Sequence, residues 1–257
     1  MEQISQALSG KHAVVTGGAR GIGAAVTRAL VAHGANVTML GRSPAPTTGL
    51  ADEPHLHYAQ ANVCEPEEIH RALDAARTKF GSINILVNNA GQGVSAPFLK
   101  TDFALWRSMM QVNLDGTFHC MHQVLPAMLS AGWGRIVNIA STAGLIGYAY
   151  VSAYCAAKHG MIGLTRSLAL EVATKGVTVN AVCPGYTETE MLQRTIEGIV
   201  AKTGRTPAEA RVELSSKNPQ KRMIQPEEVA NAVAWLCLPG SEAITGQSIA
   251  VAGGEVM

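Results

Sequence analysis

The sequence predicts a doubly wound α/β fold with a parallel sheet of about seven strands. Short apolar runs alternate with longer segments of helical spacing along the 257 residues. Most runs are rich in Val, Ile or Leu and too continuous for a sheet with one solvated face, which favours parallel strands covered by helices on both sides. Strand–helix alternation of this kind builds a right-handed doubly wound sheet. No linker or internal repeat interrupts the pattern, so one domain over residues 1–257 is expected.

The alternation comprises seven predicted strands and five predicted helices. The strands are, in chain order, His12–Thr16, Asn36–Leu40, His55–Gln60, Ile83–Asn88, Arg135–Ala140, Val177–Val182 and Ser248–Val251. The helices are Ile22–His33, Pro66–Phe80, Phe103–Ser130, Val151–Lys175 and Pro226–Leu236. Pro66 and Pro226 stand where the first turn of a helix tolerates proline, and glutamates that favour a helix N-terminus follow both.

One long stretch departs from the alternation. Residues 187–225 contain no predicted strand, and the segment carries Gly198, Gly204, Pro207 and Pro219. A long insertion after the carboxyl end of a strand in such a sheet is a candidate lid over an active site.

The composition excludes several classes of protein. A formal net charge of +1 gives no basic surface of the size that nucleic acid needs. No run approaches the roughly 18 apolar residues of a membrane span, and the first residues lack a secretory signal pattern. The five cysteines are far apart without a CxxC pair, which argues against a disulfide framework or zinc site and fits a reducing compartment. We therefore expect a soluble, cytoplasmic protein.

A glycine-rich turn follows the first predicted strand. The chain reads T16-G-G-A-R-G-I-G23, and a helix begins at once. Gly17, Gly21 and Gly23, with Arg20 and Ile22 between them, would let the backbone approach a pyrophosphate while helix N–H groups point at the anion. A tight turn without a ligand is the alternative, but the position between a strand and a helix favours dinucleotide binding.

A second cluster of polar residues carries the chemistry. Tyr154 and Lys158 stand four residues apart in Y154-C-A-A-K158 and so share one face of a helix, while Ser141 follows a predicted strand. A ketone that receives hydride develops negative charge on its oxygen, which must be protonated. We expect Lys158 to lower the pKa of Tyr154 from its ordinary value near ~10, and Ser141 to donate a hydrogen bond to the substrate oxygen.

Together these motifs resemble the short-chain dehydrogenase/reductase family. The turn has the Gly-x-x-x-Gly-x-Gly spacing of that family, N88-N-A-G91 matches its second motif, and the Ser141, Tyr154 and Lys158 set lies at family-like distances. The resemblance covers the chain from Lys11 to Gly254. It implies a Rossmann-type fold and an NAD(P)-dependent enzyme that interconverts a ketone and a secondary alcohol.

The resemblance also assigns further site residues. It implies that Tyr154 and Lys158 contact the nicotinamide ribose, and that Asn113 completes a catalytic tetrad by holding a water that links Lys158 to solvent. Without the rest of the set, Asn113 would be interpreted as a polar residue that breaks a long helix. The other cofactor contacts implied by the second motif and by P184-G-Y-T-E-T189 are Asn89, Ala90, Gly91, Pro184, Gly185, Thr187 and Thr189.

The end of the second predicted strand bears on the choice of cofactor. An acidic residue there would bind the ribose hydroxyls of NAD, but the chain has Gly41, Arg42 and Ser43. With no carboxylate to repel a 2′-phosphate, and with Arg42 and Arg20 able to pair with it, NADP is favoured and NAD remains possible. A solvated loop arginine is the alternative for Arg42.

The adenine contact also departs from the usual pattern. Asn62 and Val63 occupy the place where the family usually has Asp-Val. The Asn62 side-chain carbonyl can still accept a hydrogen bond from the adenine amino group.

The substrate is specified less sharply than the reaction. The segments around G163-L-T-R-S-L-A-L-E171 and residues 184–189 look most like reductases of 3-oxoacyl thioesters and 3-hydroxyacyl-CoA dehydrogenases, so a CoA or acyl-carrier thioester is the expected substrate. A dehydrogenase of small or cyclic secondary alcohols is the enzymatic alternative. A non-catalytic NADP-binding sensor is the alternative of another class, but such proteins usually lose the tyrosine or lysine.

Two expectations concern metals and assembly. His119 and His122 are three apart on a helix and could share a metal, but packing or an interface is the favoured role. His55 and His57 have no carboxylate or cysteine at ligand spacing, so no metal is expected. Cys155, next to Tyr154, is interpreted as a small packing residue rather than a nucleophile. A homotetramer or homodimer is expected because two long helices carry more apolar residues than one buried stripe requires. The residues in question are Phe118, Met121, Val124, Met128, Met161, Leu164, Leu168 and Val172.

Overall fold

The fold is a seven-stranded, wholly parallel sheet, seen in a computed structural model that describes residues 6–44 and 53–257. Its strand order is β3-β2-β1-β4-β5-β6-β7. The strands are β1 His12–Thr16, β2 Asn36–Gly41, β3 Leu56–Gln60, β4 Ile85–Asn88, β5 Gly134–Ile139, β6 Val177–Pro184 and β7 Ser248–Val251. The predicted fold class is confirmed, and every predicted strand forms within two residues of its expected bounds.

Eight α-helices accompany the sheet in the described part of the chain. They are α1 Gly21–Ala32, α2 Pro66–Phe80, α3 Phe103–Met110, α4 Gly116–Ala131, α5 Ser152–Val172, α6 Glu190–Thr203, α7 Pro207–Ser215 and α8 Pro226–Cys237. None of these helices is long and apolar enough to cross a membrane.

Alternate residues of each strand point to opposite faces, so the sheet has two cores. On one face, Ala13 and Val15 of β1 pack with Val26 of α1 and Val233 of α8. On the other face, Val14 packs in a cluster that α2, α4 and α5 complete. The strands β1, β4, β5 and β6 are buried along their whole length, which explains their continuous apolar runs.

The prediction of one continuous helix over Phe103–Ser130 is wrong. Residues 111–115 form a π-helical turn between α3 and α4, with Asn113 at its centre. The Asn113 side-chain amide donates to the carbonyl of Met109 at 3.0 Å, and the Thr117 hydroxyl approaches the carbonyl of Asn113 at 3.3 Å. Side chains that take backbone carbonyls compete with the regular helix ladder, which here gives way to one π-helical turn.

The segment 187–225 lacks a named strand, as predicted, but it contains two helices that the sequence analysis did not predict. Thr189 caps α6 by accepting from the N–H of Leu192, and Thr206 with Glu209 forms a capping box at α7. The Thr206-Pro207-x-Glu209 pattern is a helix-start signal that could have revealed α7. A single parallel bridge between Thr187 and Ile224 joins the two ends of the segment.

Candidate active site

The glycine-rich turn lies at the carboxyl end of β1, beside β4, where the strand order reverses. Gly17 and Gly21 have positive φ angles of 65° and 51°, which other residues adopt at a cost. A Cβ on Gly23 would overlap the carbonyl oxygen of Gly17. The backbone of this turn and the N-terminus of α1, which begins at Gly21, therefore form an open cradle of the kind that receives a pyrophosphate.

Asn89 ties the turn to the next strand. Its side-chain amide donates to the carbonyls of Thr16 at 2.9 Å and Gly17 at 3.2 Å. In return, the Thr16 hydroxyl accepts from the backbone N–H groups of Asn89 and Ala90, both at 2.9 Å. The second motif thus holds the glycine turn in place, and this task fully occupies the Asn89 amide hydrogens.

The corner at the end of β2 is more open. Arg42 and Ser43 are exposed, and only their backbone carbonyls are held, by Gln60 at 3.0 Å and Tyr58 at 2.7 Å. A Cβ on Gly41 would lie 2.5 Å from the Tyr58 hydroxyl, so a side chain at this position requires that ring to move.

Arg20 has a partner that the sequence did not indicate. Its guanidinium pairs with Glu190 of α6 at 3.3 Å, with both side chains at least half exposed. Arg20 would have to exchange this pair to meet a 2′-phosphate, and its role there stays a prediction. Exposed ion pairs contribute only about 0–1 kcal/mol, so the exchange is inexpensive.

Asn62 and Val63 follow the end of β3, and Val63 packs against the start of α4. A Cβ on Gly116 would lie only 2.9 Å from the carbonyl oxygen of Val63. The Asn62 side-chain oxygen accepts from the N–H of Cys64 at 3.2 Å, and its backbone N–H donates to Glu68 at 2.8 Å. One lone pair of the Asn62 side-chain oxygen remains for the expected adenine contact.

The fold brings Ser141, Tyr154 and Lys158 together at the carboxyl end of β5. The Ser141 hydroxyl oxygen accepts from the N–H of Ala143 at 3.1 Å, and Ser141 hydrogen-bonds the Tyr154 hydroxyl. Lys158 lies one turn along α5, with Nζ 5.7 Å from the centre of the Tyr154 ring. A carbonyl oxygen placed beside the Ser141 and Tyr154 hydroxyls would meet two donors at once.

The expected lowering of the Tyr154 pKa is not found. Burial raises the pKa of Tyr154 to about 12, although the hydrogen bond from Ser141 opposes the rise. Burial also lowers the pKa of Lys158 to about 8. The Lys158 ammonium donates to the carbonyl of Ile139 at 2.7 Å rather than facing the phenol, which is why its charge does little for Tyr154 here.

The side chain of Asn113 ties the loop after β4 to the π-helical turn. It is fully buried, its amide donates to the carbonyls of Gln92 at 2.9 Å and Met109 at 3.0 Å, and its oxygen accepts from the N–H of Gln92 at 3.2 Å. A Cβ on Gly91 would lie 2.9 Å from that oxygen and 3.7 Å from Lys158 Nζ. Asn113 therefore shapes the loop after β4 beside Lys158, and the water relay implied for this residue stays a prediction.

The segment after Pro184 forms the opposite wall. The Thr187 hydroxyl donates to the carbonyl of Gly185 at 2.9 Å, and the Thr189 hydroxyl donates to that of Thr187 at 3.2 Å. The methyl carbon of Thr189 lies 3.2 Å from the position of a Cβ on Gly21, so this wall closes on the glycine turn. The hydroxyl groups of both threonines donate their hydrogens to carbonyls of this same loop, and Thr189 also lies beside the glycine turn.

Three residues near the reaction centre escaped the sequence analysis: Tyr148, Tyr186 and Glu255. The Tyr148 hydroxyl donates to Glu255 at 2.7 Å, and burial followed by the charge of Glu255 raises the pKa of Tyr186. No spacing signal could have found them, because they come from three distant segments that only the folded chain brings together.

The side chains set aside as metal ligands have other contacts. His119 and His122 both lie against Phe118, with ring centres 5.6 Å apart in each case. His55 hydrogen-bonds Asn36. Within residues 6–44 and 53–257, no three His, Cys, Asp or Glu side chains are grouped so that they could hold a metal ion.

Comparisons with known proteins agree with this geometry. The family model "short chain dehydrogenase" matches residues 11–199. A D-beta-hydroxybutyrate dehydrogenase of Rhizobium meliloti is 38% identical over 95% of this chain and 98% of its own. A 3-oxoacyl-[acyl-carrier-protein] reductase of Vibrio cholerae is 37% identical over 97% and 99%. A crystal structure of an actinorhodin polyketide ketoreductase variant with NADPH superposes with a TM-score of 0.91, at 36% identity over 95% of this chain and 97% of that one.

Proposed function

Because the chain belongs to the short-chain dehydrogenase family and is an oxidoreductase of CH–OH groups, we propose that it reduces a 3-oxoacyl thioester with NADPH. The observation that carries the proposal is the meeting of the Ser141, Tyr154 and Lys158 side chains beside the glycine cradle. Residues 1–257 form one nucleotide-binding domain in this proposal, and residues 187–225 are its substrate lid.

The bound cofactor would supply the hydride, and the protein supplies the proton. The Tyr154 hydroxyl donates its proton to the carbonyl oxygen as negative charge develops there, while Ser141 stabilises that charge with a second hydrogen bond. Lys158 and the Gly91 loop that Asn113 shapes flank the phenol on the cofactor side. Burial raises the Tyr154 pKa to about 12, which favours the protonated phenol from which the carbonyl oxygen takes its proton.

NADPH is the proposed cofactor on local grounds. The residues present fit a phosphorylated dinucleotide: the glycine turn leaves room for the pyrophosphate, and Arg42 stands exposed at the end of β2, where the sequence Gly41-Arg42-Ser43 has no acidic residue. The tight fit between Gly41 and the Tyr58 hydroxyl disfavours the acidic residue that would select NAD at that position.

A thioester substrate is supported by relatives that are reductases of 3-oxoacyl and polyketide chains. The test is the initial rate of NADPH oxidation with a 3-oxobutanoyl thioester and with cyclohexanone, each repeated with NADH. We expect a higher kcat/KM for the thioester and for NADPH. A faster rate with cyclohexanone would favour the dehydrogenase of cyclic alcohols instead.

A homotetramer in the cytoplasm completes the proposal. Five of the eight apolar residues expected at an interface, Met121, Val124, Met128, Met161 and Val172, are instead buried in the chain's own core. Phe118, which is also expected there, is 47% exposed, and the large apolar side chains of Phe103 on α3 and Leu170 on α5 are 75% and 81% exposed. All five cysteines are free thiols, which supports a reducing compartment. Light scattering that shows a single 26.9 kDa chain would contradict the assembly.

A further inference from the structure

Glu255 lies in a hydrogen-bonded network at the substrate side of the reaction centre. The end of β7 pairs with the end of β6, because Val251 stands opposite Pro184 and accepts from the N–H of Gly185 at 3.1 Å. The residues that follow β7 are thereby held beside the loop after Pro184. A Cβ on Gly185 would lie 3.1 Å from Glu255 Oε2.

The network reaches the loop that carries Ser141. The Tyr148 hydroxyl lies 2.7 Å from Glu255 Oε1 and 2.9 Å from the Thr142 hydroxyl. One phenolic proton cannot serve both oxygens, so Tyr148 donates to the carboxylate and Thr142 donates to Tyr148. Two hydrogen bonds therefore connect the Glu255 carboxylate to Thr142 through Tyr148. Thr142 directly follows Ser141, the residue proposed to donate a hydrogen bond to the substrate oxygen.

Tyr186 connects the carboxylate with the phenol that moves the proton. It interacts electrostatically with Tyr154 on one side and with Glu255 and Tyr148 on the other. Tyr186 is therefore within electrostatic range of both the Tyr154 phenol and Glu255, and it belongs to the loop after Pro184 that Glu255 lies against at Gly185.

The Glu255 carboxylate has no basic partner that would cancel its charge. Among the ion pairs formed by residues 6–44 and 53–257, none includes Glu255. Two cations are nearby: Lys217, exposed, with Nζ 4.6 Å above the Tyr148 ring, and Lys158, which donates to Ile139 on the proposed cofactor side. Neither lysine forms an ion pair with Glu255, so its carboxylate brings a negative charge to the region beside Ser141 that no direct partner neutralises.

We infer that Glu255 selects substrates by charge: it disfavours 3-oxo compounds that carry a free carboxylate and admits those in which this group is an uncharged ester or thioester. This inference rests on the proposed function and narrows its substrate class. A 3-oxo acid and its ester differ by one negative charge close to the reacting carbonyl. A second carboxylate near Ser141 is repelled by Glu255, whereas an uncharged ester or thioester group is not.

The test compares acetoacetate with methyl acetoacetate in the wild type and in Glu255→Gln. Glutamine can still accept from Tyr148, so the variant removes the charge and keeps the hydrogen bond. We expect the wild type to prefer the ester, and the ratio of kcat/KM for ester over acid to fall about tenfold in Glu255→Gln, because one charge at short range is removed. Glu227→Gln is the matched control: it removes a distant, exposed carboxylate of α8 and is expected to leave the ratio unchanged.

Tyr148→Phe separates charge from structure. It breaks the network but leaves the Glu255 charge, so its ratio should stay close to that of the wild type, whatever happens to the absolute rate. An unchanged ratio in Glu255→Gln, or an equal shift in Tyr148→Phe, would overturn the inference. Failure of the wild type to reduce any carbonyl compound would overturn the proposed function, and the inference with it.

Discussion

Lys158 and Arg42 are both basic residues expected to contact the cofactor, yet their surroundings differ sharply. Lys158 is 3% exposed, its ammonium donates to the carbonyl of Ile139, and burial lowers its pKa to about 8. Arg42 is exposed, and its backbone carbonyl accepts a hydrogen bond from the Gln60 side chain. A substitution of Lys158 therefore disturbs buried polar groups. The charge of Arg42 is instead screened by solvent.

The difference in burial predicts where substitutions have large effects and where they have small ones. Charges and hydrogen bonds in a buried site act at low effective dielectric and are costly to break. Exposed charges such as Arg42 and the Arg20–Glu190 pair are screened, so their individual contributions are small. We therefore expect the reaction centre to resist substitution and the cofactor preference to yield to it.

The largest effect is expected from Tyr154→Phe. The change removes only the hydroxyl that donates the proton, so kcat should fall by about 1000-fold or more while NADPH affinity changes little. Stopped-flow or steady-state rates give the first quantity, and NADPH fluorescence titration gives the second. Retention of more than a few per cent of kcat would remove Tyr154 from the proton-transfer role.

Lys158→Met should affect both rate and binding, because the buried ammonium is assigned two tasks. We expect kcat to fall about 100-fold and the Kd for NADPH to rise about tenfold. The same two measurements apply, with circular dichroism to show that the variant is folded. Normal NADPH binding with a reduced rate would mean that Lys158 does not hold the nicotinamide ribose.

Arg42→Asp probes the exposed side of the comparison. Removal of a phosphate partner and addition of a ribose acceptor should lower the ratio of kcat/KM for NADPH over NADH by about tenfold or more. Arg28→Asp, which alters an exposed arginine of α1 that pairs with Glu227, is the control and should leave the ratio unchanged. If both variants behave alike, Arg42 does not set the preference.

The smallest expected effect is a pH dependence of stability that comes from the buried Lys158. Because burial lowers the pKa of Lys158 from 10.5 to about 8, the unfolded chain binds this proton more tightly than the folded one. Between these two pH values the unfolded state binds more protons than the folded state, so the free energy of unfolding rises with pH. As the pH falls towards 8 this gain is lost, because the folded state must then bury a charged lysine.

Chemical denaturation of the wild type and of Lys158→Met measures this contribution. The wild type should gain about 1 kcal/mol per pH unit relative to the variant between pH 8 and 10. The buried thiols and phenols, whose pKa values are raised, work in the opposite direction but are common to both proteins. A constant difference between the two proteins would show that Lys158 is not desolvated.

Strands, the glycine turn and the spacing of the catalytic candidates could be predicted from the sequence, because each depends on residues that are close together in the chain. Seven strands follow from short apolar runs, because strands buried on both faces need no polar alternation. The glycine turn and the pair Tyr154 and Lys158 follow from spacing, since four residues along a helix return to the same face. The roles of these side chains remain predictions that the variants above address.

Which polar groups are free and which already have partners follows from how the chain packs, not from its sequence pattern. The π turn at Asn113 is hidden in continuous helical spacing, because it arises from hydrogen bonds to Gln92, a residue on another segment. The raised pKa of Tyr154 comes from burial, which no spacing records. Glu255 reaches Tyr148 only because β7 pairs with β6 and carries the last residues back to the reaction centre. Sequence periodicity reports neighbours along one element, whereas desolvation and contacts between distant segments exist only once the chain has packed.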